Sequence, residues 1–253
     1  MIKKYLPIVS LSLMLGMFSG VSHAICVISL PYIPAPGGPT YGSEATVKNG
    51  CFGTIAGGGG MATSSMTQNF AVGSSGNATS NLGTGVLTAY AASGNTIWSA
   101  SNFWDTLTFS GLPTGGTMLT AMFTLTGSFT GSGVGSGDIS VNGVSAASFS
   151  ASSSSPLPSS ISASFLALNG APIQIGADLL SVAGDSTGAL GTANLNPGTF
   201  SILAPSGTTF TSASTLFVNV TPVPVPASLG LLSLGLAAIT GVACCSKSPR
   251  MLG

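Results

Sequence analysis

The stretch "TMLTAMFTLT" (117–126) alternates with a period of two: Leu119, Ala121, Phe123 and Leu125 fall on one side, Thr120, Met122 and Thr124 on the other. Successive side chains of an extended chain point to opposite faces, so this is the pattern of a half-buried strand. "DTLTF" (105–109) repeats it, with Leu107 and Phe109 opposed to Thr106 and Thr108. Short runs of the same kind recur at 86–91, 139–144, 161–168, 172–180, 199–204 and 208–220. Turn signals punctuate them: Gly111-Leu112-Pro113, Asn142-Gly143, Asn196-Pro197-Gly198 and Pro205-Ser206-Gly207. No long amphipathic helix intervenes. The pattern predicts an all-β body, a single antiparallel β-sandwich of jelly-roll-like type.

That body spans 25–221 and is uneven along its length. Residues 25–60, with prolines before Tyr41 and a glycine run from Gly57 to Gly60, read mostly as loop. "SAASFSASSSSPLPSS" (145–160) reads as a low-complexity connection between two groups of strands. One domain with a long connection is favoured over two, because each half alone would have few strands and an open edge.

Charge limits the partners. Residues 25–221 carry one cation, Lys48, against Glu44, Asp105, Asp138, Asp178 and Asp185, a net charge of −4. Nucleic-acid binding depends on neutralising phosphates and is not expected of such a body. The chain is apolar enough to collapse and meets water mainly through Ser, Thr, Asn and Gly, so self-association between strand edges is a further expectation.

The two ends of the chain are read separately. Lys3 and Lys4 precede an apolar run from Leu6 to Val21, and Ser22-His23-Ala24 offers small residues at the positions a signal peptidase requires. Residues 1–24 therefore read as a signal peptide cleaved between Ala24 and Ile25. His23 is the single histidine of the chain. Its removal would leave the mature protein without an imidazole, which argues against Ser-His and Cys-His nucleophile pairs and histidine-bearing zinc sites. In the exported part, Cys26 and Cys51 predict a disulfide, worth about 3 kcal/mol for a loop of roughly this length. Two unpaired thiols are the alternative.

At the far end, Ala227–Cys245 is an uncharged segment of nineteen residues. As a helix it would extend about 28 Å, close to the roughly 30 Å hydrocarbon core of a bilayer. Pro222, Pro224 and Pro226 hold the approach extended, and Lys247 and Arg250 beyond it favour the cytoplasmic side. The order of proline motif, apolar helix, basic residues and chain end, over 222–253, resembles the PEP-CTERM sorting signal, the substrate of exosortases in Gram-negative bacteria that make exopolysaccharide. The motif reads Val223-Pro224-Val225-Pro226-Ala227, nearer the VPLPA-type variants, since Val225 stands where Pro-Glu-Pro has glutamate. The resemblance implies transient anchoring in the inner membrane, cleavage near the motif, and release to the cell surface or extracellular matrix.

No cofactor or metal set is legible. "GSGVGSGD" (131–138) lacks the lysine and spacing of a phosphate loop and reads as a flexible turn. Asp138, Asp178 and Asp185 lie near glycines and read as turn carboxylates; a glycosidase pair would need two acids about 5–10 Å apart. Trp104 falls on the opposite strand face from Phe103 and Leu107, so Trp98, Trp104 and Tyr90 form a candidate sugar-stacking platform, with core packing as the alternative. The expectation is an exported, non-enzymatic surface or matrix protein with a structural or adhesive role. The alternative is a carbohydrate-binding module for exopolysaccharide.

Overall fold

The computed structural model describes residues 38–49, 52–70, 73–93, 96–184, 189–217 and 220–223. These form fourteen strands and no helix. In chain order they are β1 (Tyr41–Asn49), β2 (Phe52–Gly59), β3 (Thr63–Phe70), β4 (Ser74–Asn81), β5 (Val86–Ser93), β6 (Ile97–Ser110) and β7 (Thr117–Gly131). Then follow β8 (Val134–Val141), β9 (Val144–Ser152), β10 (Ser160–Ala167), β11 (Pro172–Ala183), β12 (Gly191–Pro205), β13 (Thr209–Ser212) and β14 (Val220–Val223).

Two sheets pack face to face. The first has the order β2-β1-β6-β11-β8-β9, with β13 continuing the β1 position along β6. The second has the order β10-β7-β12-β5-β4-β3, with β14 continuing the β5 position along β12. All pairings are antiparallel except β12 with β14. Strands from both sides of the serine-rich segment enter both sheets.

The alternation in β7 is realised as read: Leu119, Ala121, Phe123 and Leu125 are buried, and Met118, Thr124 and Thr126 are exposed. They meet Phe103, Leu107 and Phe109 of β6 and Ile173, Ile175, Ala177 and Leu179 of β11 in one apolar layer. Phenylalanines knit it together, with Phe103 edge-on to Phe200 at 5.4 Å and Phe109 against Phe165 at 6.3 Å. Asn142-Gly143, read as a turn signal, connects β8 and β9 as a hairpin, both residues having positive φ (52° and 75°), as a two-residue type I′ connection requires.

Four expectations are corrected. Within 25–60, Tyr41–Asn49 and Phe52–Gly59 form a hairpin rather than loop. Ser43, Ala45 and Val47 face inward there, and the glycines of β2 let its backbone lie close: a Cβ on Gly57 would come within 2.1 Å of the Ser43 carbonyl. Within 145–160, β9 continues to Ser152, because Phe149 and Ala151 point into the core while the serines face water; only 153–159 connect. "GSGVGSGD" is a turn only at its start, and Val134–Val141 is a strand. Gly135 and Gly137 are core positions that make room for rings, since a Cβ there would lie 2.7 Å from Phe129 and 2.9 Å from Phe149. In 208–220, the extended run breaks after Ser212 into a turn containing Thr215 at φ 60°, and pairing resumes at Val220.

Candidate functional site

The first sheet buries both faces of its central strands. On β6 the odd positions Phe103, Leu107 and Phe109 join the core between the sheets, so Trp98, Ala100, Asn102 and Trp104 lie on the outer face. All four are nevertheless buried. Trp104, 1% exposed, is bedded between two glycines, being paired with Gly42 on one side and Gly176 on the other. A Cβ on Gly42 would come within 2.3 Å of the indole, and the indole N–H donates to the Pro39 carbonyl at 3.0 Å. Trp98, 4% exposed, lies against Lys48, whose Nζ stands 4.6 Å from the ring centroid.

Between the two indoles runs a polar row. Glu44 pairs with Asn102, Asn102 with Asp178, Asp178 with Asp138, and Asp138 with Ser148. Five side chains on five neighbouring strands thus share one level of one face, with strands about 4.8 Å apart. Asn102 is 0% and Asp178 2% exposed, while Glu44 and Asp138 are half-buried and Ser148 is exposed. Neither amide atom of Asn102 has a hydrogen-bond partner, and neither do Oδ1 of Asp138 and Oδ1 of Asp178. Burial, then the facing Asp138 charge, then the hydrogen bond with that side chain push the Asp178 carboxyl well above the ordinary range. Burial also raises Glu44.

Asp138 and Asp178 are therefore strand-centre residues in direct opposition, not turn carboxylates, and this is the pair that sequence spacing could not bring together. Asp105 has a different role. Its Oδ2 accepts from the hydroxyls of Ser212 (2.8 Å) and Ser214 (2.6 Å), and Oδ1 from the Ser214 amide (3.3 Å), which pins the turn after β13 to β6.

The expected platform does not assemble. Trp98 and Trp104 present no open ring face, because the glycine bed of one and the lysine over the other draw them onto the sheet. Tyr90 belongs to the other sheet, on the opposite side of the molecule, with Ala89 and Ala91 turned into the interior. It is half-buried in a row that reads Thr67, Asn77, Tyr90, Asn194 and Ser128. Around it the outer face of the second sheet is uncharged across all six strands. Its cross-strand contacts include hydroxyl to hydroxyl and amide to hydroxyl pairs: Thr79 with Thr88 (2.6 Å), Thr130 with Thr192 (2.7 Å) and Asn77 with Thr67 (2.6 Å).

Among the described residues no three of His, Cys, Asp and Glu gather as a metal-binding group. None of their helices is long and apolar enough to cross a membrane, there being no helix. Val223 ends β14, opposite Pro205, so pairing reaches the first residue of the stretch Val223–Ala227. Pro224, Val225, Pro226, Ala227, Lys247, Arg250, Ala24, Ile25, Cys26 and Cys51 lie outside the described residues, as do 227–245 and Asp185. Comparison with family models, with curated proteins and with solved structures found no match to the chain.

Proposed function

We propose that the chain is an exported, non-enzymatic protein of the cell surface or extracellular matrix, with a jelly-roll-like body and a structural or adhesive role. A signal peptidase removes residues 1–24, the C-terminal helix holds the protein transiently in the inner membrane, and an exosortase-type enzyme releases it near Val223–Ala227. The observation that carries the adhesive role is the outer face of the second sheet. It is broad and uncharged, and it carries hydroxyl and amide groups on β3, β4, β5, β7, β10 and β12, interrupted by an apolar spot at Met118 and Leu166. Such a face offers many weak, interchangeable hydrogen bonds and no charged group to select a counter-ion, which suits repeated contact with a neutral polymer. Pairing of β14 with β12 extends to Val223, the first residue of the motif.

Tyr90 supports the second reading, a module for neutral exopolysaccharide. One aromatic between two amides, Asn77 and Asn194, offers a ring for stacking and donors for hydroxyls. Tyr90→Ala should then weaken retention on immobilised exopolysaccharide, whereas a purely structural protein shows no saturable retention with either form.

Export is tested by intact mass and fractionation from hosts with and without a matched exosortase. The expected result is loss of the residues beyond the proline motif, and release of the body, only where the enzyme is present. An uncut protein held in the inner membrane of both hosts would overturn the sorting assignment.

A further inference from the structure

We propose that Asp138, Asp178 and Asn102 on the outer face of the first sheet form a binding site for a hard divalent cation of the calcium class. The site is distinct from the hydroxyl face of the second sheet and does not depend on its adhesive role. Three adjacent strands, β6, β11 and β8, place the three side chains in register on one face. Asp178 stands one strand spacing, about 4.8 Å, from each of Asn102 and Asp138, a gap that an ion with oxygens at roughly 2.4 Å bridges. Two carboxylates in direct opposition repel one another, and a buried carboxylate is costly to hold ionised without compensation. The described cation nearest in register, Lys48, is engaged with Trp98 two rows away from this level.

Asn102 is the independent observation. It is fully buried beside Asp178 with both amide atoms unpartnered, and its Oδ1 is a neutral oxygen ligand of the kind calcium accepts beside carboxylates. The free Oδ1 atoms of Asp138 and Asp178 supply the next two. Half-buried Asp138 and exposed Ser148 leave the β8–β9 side open for the ion and its waters. The oxygen-only set excludes softer metals that favour imidazole or thiolate.

The test uses the full chain, with terbium and calcium as probes. Terbium bound at this level lies about 7 Å along β6 from the Trp104 backbone, so exciting the indoles should sensitise terbium emission, and calcium should quench it by displacement. Asp138→Asn and Asp178→Asn should each weaken that emission roughly tenfold or more, since ligand charge sets affinity. Thermal unfolding gives the second readout. For a site of the millimolar to 0.1 mM class, 10 mM calcium should raise Tm over EDTA by roughly 3–10 °C in the parent and not in the variants. Because Asp178→Asn removes a buried acid, it should melt in EDTA no lower than the parent, which separates loss of binding from loss of fold. Absence of sensitised emission and of a calcium shift would overturn the proposal. A response that survives in both variants would overturn it equally, by placing the ion elsewhere.

Discussion

At the scale of single residues, Asp105 shows how a carboxyl is held without a cation. Three donors from Ser212 and Ser214 reach it, yet burial outweighs them and raises its pKa above the ordinary carboxylate value. A carboxyl raised on folding stabilises fully below its unfolded pKa, and that contribution is lost as pH climbs through the folded value. Asp105→Asn does not titrate and keeps an acceptor for the serine hydroxyls. Its stability relative to the parent should therefore improve as pH rises from about 4 to 7, as read from urea midpoints. Glu44 and Asp178 shift in the same direction, so the parent's own slope does not isolate Asp105 and the difference between the two proteins does. An unchanged difference across that range would contradict the assignment. Gly137 poses the opposite problem, of space rather than charge. A Cβ there would meet the Asp178 carbonyl at 2.4 Å and the Phe149 ring at 2.9 Å, and the backbone oxygen cannot step aside. Gly137→Ala should cost about 1–3 kcal/mol in chemical denaturation, the usual range for overpacking.

Among the elements, β7 and β9 mark the two ends of what sequence reveals. β7 is legible because apolar residues recur at every second position from Leu119 to Leu125 with Thr120 and Thr124 between them, the start of β11 alternates likewise, and Asn142-Gly143 is a turn signal in its own right. β8 and β9 hide because, apart from Ile139 and Phe149, their inward positions are glycine and alanine, while their outward positions are mostly serine, so composition imitates a linker. β3 and β4 hide for a related reason, having Ser64, Ser74, Gly76 and Ser80 where a strand signal expects branched apolar residues. The small inward side chains let the sheets approach: a Cβ on Gly76 would touch Ser99 Oγ and Val47 at 2.5 Å. The polar row was illegible on other grounds. Alternation places Asp138 and Asp178 on faces, but only the register of β8 against β11 makes them partners. An aspartate inside the run "PIQIGADLL" was the available hint, since a carboxylate in an apolar strand asks for compensation. If Phe149 is what distinguishes β9 from a true linker, Phe149→Ala should cost about 3–5 kcal/mol. It should also open cleavage sites within 145–160 that limited proteolysis does not reach in the parent.

For the whole molecule, the four outermost strands decide how the sandwich behaves among its copies. β2, β9, β3 and β10 end the two sheets, and none contains a charged residue or a proline. Natural sheets usually guard such edges with lysine, proline or a bulge, because unpaired backbone groups recruit another strand. β10 is the least guarded. Its Ser160, Ser162 and Ser164 are exposed, and Leu166 (53% exposed) lies directly opposite Met118 (59%) near Leu168 (45%). An apolar spot beside a free edge favours strand addition, and a body with so few charges offers little repulsion against it. The protein should therefore associate as its concentration rises, through β10, with growth that salt changes little because few charges take part. Leu166→Lys places a cation on that edge without touching the core, as the side chain points outward. Sedimentation velocity should show the parent shifting to larger species while the variant stays monomeric over the same range. Equal association in both would move the contact to another edge, and a monomer at every concentration would mean that the β10 edge is closed in solution.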